Sequence, residues 1–131
     1  MFYVDTNYLI QGLVKGSKEG AQLSQWYGEG ETILAPAPAW FEFLCGPVTQ
    51  PQINIIRAFL SGGIAPFDGP QAAQAAHLYN ATGRVRQFRV DAMIAGTAIA
   101  AGGILATSNR KDFQRFIRFG LTLLPDSAAA P

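Results

Sequence analysis

The chain has 131 residues, one cysteine and a formal net charge of +1, with 49% hydrophobic and only 15% charged residues. That length suits a single domain able to bury about two-thirds of its unfolded surface. A charged fraction well below the roughly 25% of an average domain predicts surface covered by a second copy or a partner. With Cys45 alone, an internal disulfide is excluded and a reducing compartment is expected.

No apolar run reaches the roughly 20 residues of a membrane span. The short apolar start lacks the basic flank of a signal peptide. A cytoplasmic protein without a membrane partner is the expectation. The charge is uneven along the chain. Between Arg84 and Arg118 seven bases face two acids, whereas elsewhere three bases face seven acids. Clustered arginine fits either a phosphate-binding surface or a solvated face.

The elements alternate from the start. Phe2–Val4 reads as a strand that stops at Asp5, and a helix over residues 6–14 follows, with Tyr8, Leu9, Leu13 and Val14 at roughly helical spacing. Ser17 caps a second helix over residues 18–27, with Ala21, Leu23, Trp26 and Tyr27 as core candidates. Residues 32–35 form a second strand, stopped by Pro36. Pro38 sits in the first turn of a third helix, residues 39–45, where proline is tolerated.

Pro51 opens a fourth helix carrying Ile53, Ile56, Ala58, Phe59 and Leu60, which ends at Gly62-Gly63. Residues 64–67 form a third strand, whose proline predicts an edge position. Asp68 caps a helix over residues 70–82, in which Ala72, Ala76 and Tyr79 share a face. Asp91 opens the most apolar helix, residues 92–101, rich enough in Ala and Gly to pack closely on both sides. Ile104–Ala106 is a fourth strand, residues 110–119 a last helix and residues 121–123 a fifth strand. Five strands separated by helices predict an α/β sandwich on a mainly parallel sheet. Residues 1–125 read as one domain and residues 126–131 as a frayed tail.

A few polar residues stand where such a sheet gathers ligands, beyond the carboxyl ends of its strands. Asp5 follows the first strand, Glu42 is the only acid in WFEFL, Asp91 starts the apolar helix, and Asn109 and Asp112 follow the fourth strand. A carboxylate in an apolar segment is costly unless paired or coordinated, and several together repel one another until a cation intervenes. Oxygen donors suit Mg²⁺ or Mn²⁺, whereas His77 and Cys45 cannot make a zinc site between them. Each acid also has a structural alternative. Asp5 and Asp91 suit helix caps, Glu42 a solvent-facing first turn, and Asp112 a surface pair with Arg115 or Lys111. Their joint placement favours the site. Trp40, Phe41 and Phe43 read as core or dimer packing, His77 as a structural or surface residue, and Cys45 as a buried apolar filler.

Residues 83–113, GRVRQFRVDAMIAGTAIAAGGILATSNRKDF, resemble the C-terminal half of PIN-domain toxins of the VapC type. Val4-Asp5-Thr6-Asn7 and the lone Glu42 match that family's other signatures, so the resemblance spans nearly the whole chain in order. It implies a PIN-like three-layer α/β/α fold with a five-stranded sheet. It also implies a magnesium-dependent endoribonuclease of a toxin–antitoxin system, a cognate protein antitoxin and a homodimer. Asp5, Glu42 and Asp91 match the three main acids. Eighteen residues after Asp91, where many members carry an acid, this chain has Asn109, with Asp112 one helical turn beyond. Either Asn109 serves as a neutral ligand or Asp112 takes over.

On that resemblance, metal would sit on Asp5 and Asp91, with Glu42 completing the shell or orienting a water. Thr6 and Thr107 would hold carboxylates through hydrogen bonds or simply cap helices. Arg84, Arg86 and Arg89 would guide RNA by its phosphates or pair with acids of a partner. Two other classes stay open. A non-catalytic PIN-like module that binds RNA or protein is supported by Asn109. A phosphotransfer domain with Asp5 as nucleophile lacks the second acid and the later lysine it would need.

Overall fold

The computed structural model describes residues 1–125, so the expected tail at residues 126–131 lies outside the described residues. Five short strands, β1 (Phe2–Val4), β2 (Ile33–Pro36), β3 (Gly63–Ala65), β4 (Ile104–Ala106) and β5 (Thr122–Leu123), form one sheet in the order β3-β2-β1-β4-β5. All four pairings are parallel. Seven α-helices connect them: α1 (Thr6–Gly12), α2 (Lys18–Gly28), α3 (Ala37–Cys45), α4 (Gln50–Phe59), α5 (Gly69–Ala81), α6 (Arg89–Ala101) and α7 (Arg110–Phe113). The expected α/β sandwich is therefore the observed one, with β3 at an edge as its proline-flanked sequence predicts.

Strand alternation sorts the core into two halves. Val4, Ile33, Ala35 and Ala106 pack with Leu9, Leu23, Trp26, Phe43 and Ile56, so α1, α2, α4 and the Trp40–Phe43 side of α3 cover one face. Tyr3, Leu105, Ala65 and Leu123 pack with Leu78, Ile94, Ala95, Ala98, Phe113 and Phe116, so α5, α6 and the segment after β4 cover the other. Helix α6 fits its tight place because Gly96 lacks a side chain. A Cβ there would come 2.8 Å from the backbone nitrogen of Ala75 in α5.

Several boundaries differ from expectation for local reasons. Helix α6 begins at Arg89, after a 3-10 turn at Arg86–Phe88, so Asp91 lies inside its first turn and does not cap it. The last helix splits into α7 and a 3-10 segment, Gln114–Phe119, which ends at Gly120 in the left-handed region with φ 108°. In α2 the buried stripe is Glu19, Leu23 and Trp26, at helical spacings of four and three. Ala21 and Tyr27, expected in the core, are exposed, and so is Val14 beyond the end of α1. Cys45 is exposed as well, at the last residue of α3, and does not fill the core.

The sheet order fixes where a ligand would sit. From β1 the chain turns to the face covered by α1 and α2, whereas from β4 it turns to the opposite face. The crevice opens beyond the carboxyl ends of these two adjacent strands, at the point where the connections diverge.

Candidate active site

Strands β1 and β4 are in register with Val4 opposite Ala106, which places Asp5 beside Thr107 one residue further on. The Thr107 hydroxyl donates to Asp5 Oδ2, while Asp5 Oδ1 accepts from the backbone N–H of Tyr8 at 2.9 Å. Asp5 is thus the N-cap of α1, as its structural alternative required, and it also lines the crevice. One carboxylate does both.

Glu42 reaches the same crevice from α3. It is the sixth residue of that helix and half-buried, so the solvent-facing first-turn alternative does not hold. Its Oε1 accepts from the Thr6 hydroxyl at 2.7 Å. Asp91 enters from α6. Asn109 and Asp112 come from the start of α7, where the Asn109 amide donates to Asp112 Oδ2 at 2.8 Å. Arg115 donates to the backbone carbonyl of Asp112 and not to its carboxylate, and its guanidinium lies 3.5 Å from the centre of the Phe88 ring. The structural alternative, a surface pair between Asp112 and Arg115, is therefore not formed.

Asp5, Thr6, Asn7, Glu42, Asp91, Ile94, Asn109, Asp112 and Phe113 line one cleft of about 350 Å³. Four carboxylates meet there with no basic residue in the wall. Segments as far apart in sequence as residues 5 and 112 supply them.

The family follows from comparison with known proteins. A model of the PIN domain family matches residues 2–118. The chain belongs to the PIN-domain family. Among solved structures, it is similar in fold to that of VapBC2 from Rickettsia felis bound to a DNA fragment from the promoter, at 20% identity and TM-score 0.76, covering 95% of this chain and 98% of that one. FitAcB from Neisseria gonorrhoeae gives 22% identity and TM-score 0.70, covering 95% and 96%. DNA-bound VapBC from Salmonella typhimurium gives 17% and 0.72, covering 94% and 96%. Comparison with curated protein sequences gives no match.

Within this PIN domain, the cleft's charge is reflected in its acids. Burial pushes the Asp5 carboxyl up to about 6; the Thr107 and Tyr8 hydrogen bonds oppose that rise and the Glu42 charge adds to it. Asp91 is also raised to about 6, first by burial, then by Asp112, Asp5 and Glu42, with Arg115 partly offsetting them. Both shifts express the same deficit, which is negative charge gathered away from water without an equal positive charge.

Those residues fit a small divalent cation by donor chemistry. Among the described residues, no three His, Cys, Asp or Glu side chains stand close enough to form a ready-made cage around one ion. Magnesium does not need one, because it keeps several waters and takes one or two protein carboxylates, with substrate phosphate completing its shell. An all-oxygen wall with two acids whose carboxyls are pushed up by burial and mutual repulsion suits that mode.

The structure also separates what the sequence grouped. Arg84, Arg86 and Arg89 are exposed and lie outside the acidic cleft. Arg84 takes a left-handed backbone, φ 56°, and its carbonyl accepts from the Tyr79 hydroxyl at 2.8 Å. Arg89 instead borders an apolar groove with Phe67, Ala72 and Met93. His77 is exposed and meets Phe119 edge to face. Trp40 and Phe43 are buried as expected, but Phe41 is 67% exposed. Sequence reasoning missed Glu19, a buried acid whose Oε2 accepts from the Ser108 hydroxyl at 2.9 Å. Its signal was present, since Glu19, Leu23 and Trp26 form one helical stripe.

Proposed function

We propose that this PIN domain is a metal-dependent endoribonuclease, the toxin of a toxin–antitoxin pair, which hydrolyses RNA phosphodiester bonds. The observation that carries the reading is the convergence of Asp5, Glu42, Asp91 and Asp112 on one cleft with no base in its wall. Membership of the PIN-domain family supports it. Asp5 and Asp91 would hold Mg²⁺, with Mn²⁺ as a substitute. A bound ion would supply a water of lowered pKa and would offset charge building on the phosphate.

The chain's own residues do the rest. Thr107 and the Tyr8 N–H fix both oxygens of Asp5, so that carboxylate is aimed before substrate arrives. Thr6 holds Glu42, leaving its other oxygen to accept a proton from an approaching water. Asn109 holds Asp112 in the cleft wall, so the two act as a pair in the fourth position. Arg84, Arg86 and Arg89, exposed just before Asp91, serve phosphates of the RNA backbone outside the reacting centre.

A cognate protein antitoxin and a homodimer belong to the same proposal. The first is supported by the fold this chain shares with VapBC2 and FitAcB. Exposed apolar side chains support both, with Phe41 67%, Tyr27 55%, Val14 52% and Ile55 52% accessible. A cytoplasmic setting fits the single exposed cysteine and a chain whose described residues form no helix long and apolar enough to cross a membrane.

The test incubates purified protein with structured RNA and Mg²⁺ or Mn²⁺, beside Asp5→Ala, Asp91→Ala and a chelator control. Cleavage lost in both variants and in chelator is expected. Cleavage that survives both substitutions would overturn the assignment. Binding of RNA without cleavage under any metal would make the protein a non-catalytic module.

A further inference from the structure

Glu19 does not line the acidic cleft, yet it is buried to 6% exposure at the second position of α2, with its Oε2 2.9 Å from the Ser108 hydroxyl. The two residues are 89 positions apart. Ser108 sits between the two residues that hold cleft carboxylates. Thr107 donates to Asp5, and Asn109 donates to Asp112. Thr107 Oγ1 also accepts from the Asn109 N–H at 2.9 Å, so residues 107–109 move as one unit.

The loop is tied to α2 through Glu19, and Arg110, the next residue, is tied to the Leu124 carbonyl. Helix α7 has only four residues, and the Asn109 side chain makes no cap bond to it, its amide N–H₂ donating to the Asp112 carboxylate. A loop that loses its tether lets both carboxylates drift, and a site needs its supporting contacts to hold it within about half an ångström. Glu19 and Ser108 face a separate polar cavity, shared with Lys18, Gln22 and Arg110, so they act from behind the site.

We propose that Glu19 is a positioning residue for the metal centre, acting through Ser108 on the Thr107–Asn109 loop. The inference rests on the metal-nuclease reading. It gives Asp5, at the end of β1, and Asp112, in α7, a common tether to α2. Groups hydrogen-bonded to metal ligands typically change metal affinity by about 10–100-fold when removed. One bond further out, a loss of roughly 3–10-fold is expected.

The experiment titrates the folded, metal-stripped protein with MnCl₂ and follows free hydrated Mn²⁺ by electron paramagnetic resonance, with melting temperatures measured without metal. Glu19→Ala and Ser108→Ala each weaken Mn²⁺ binding roughly 3–10-fold, and the double variant is no weaker than the worse single. Glu19→Gln, whose amide oxygen still accepts from Ser108, restores most of the affinity. Ser108 is exposed, so Ser108→Ala carries the test if Glu19→Ala folds poorly. In the cleavage assay the same variants lower kcat and leave KM for RNA nearly unchanged. Wild type that binds Mn²⁺ at a site abolished by Asp5→Ala, beside Ser108→Ala of wild-type affinity, overturns the tether alone. Additive losses in the double variant overturn it too. Wild type with no Asp5-dependent Mn²⁺ site overturns the metal reading along with it.

Discussion

Replacing Asp5 by Asn should make the metal-free protein more stable while removing its metal. Burial raises the Asp5 carboxyl from 3.8 to about 6 in the folded protein. Because the folded state binds the proton more tightly than the unfolded one, stability is fullest below about pH 4 and falls as pH rises through about 6. A shift of about two pK units amounts to about 3 kcal/mol lost by neutral pH. Asn removes that charge and caps helices as well as Asp does, so the bond from the Tyr8 N–H survives. The exchange is imperfect at Thr107, whose hydroxyl now donates to a carboxylate oxygen and would face an amide N–H₂. The net gain at pH 8 is therefore set at about 1–3 kcal/mol, or roughly 5–10 °C in melting temperature for a domain of this size. Thermal melts with chelator at pH 4 and pH 8 measure it. The gain shrinks toward zero at pH 4, and saturating Mg²⁺ reverses the order, because wild type alone binds it. An Asp5→Asn protein no more stable than wild type at pH 8, or equally stabilised at both pH values, would refute the burial argument.

Other substitutions separate the remaining roles. Thr107→Ala takes a donor from Asp5 and should raise its carboxyl further, moving the acid limb of the pH–activity profile upward, while Thr107→Ser keeps the wild-type limb. Asp112→Ala should lower cleavage by 10-fold or more and Asn109→Ala by less, since Asn109 acts through Asp112 as its amide donor; equal losses would make Asn109 a ligand in its own right. Gly96→Ala forces a Cβ against Ala75 and should destabilise by about 1–3 kcal/mol in urea unfolding. Gly28→Ala, which points into open space, is its control.

The parts of this protein legible from sequence are those carried by short-range pattern. Phe2-Tyr3-Val4 reads as a strand because its residues suit a pleated surface, and Asp5 can only then fall at its carboxyl end. Pro38 and Pro51 mark helix starts with the local chemistry of proline in a first turn. Placement at strand ends and helix starts grouped Asp5, Glu42 and Asp91 as one site, and the resemblance of residues 83–113 supplied the family.

Tertiary structure decided what depends on neighbours. Only the order β3-β2-β1-β4-β5 puts Thr107 beside Asp5, because β1 pairs with a strand about a hundred residues later. Asn109 and Asp112 read as alternatives in sequence, and the fold joins them by a hydrogen bond, with α7 beginning one residue after Asn109. Glu19 was passed over because an acid at a core position contradicts hydrophobic patterning. It is tolerated there by a single hydroxyl from the far end of the chain. Periodicity can say that a side chain points inward, but only the fold brings the partner that makes a buried carboxylate affordable.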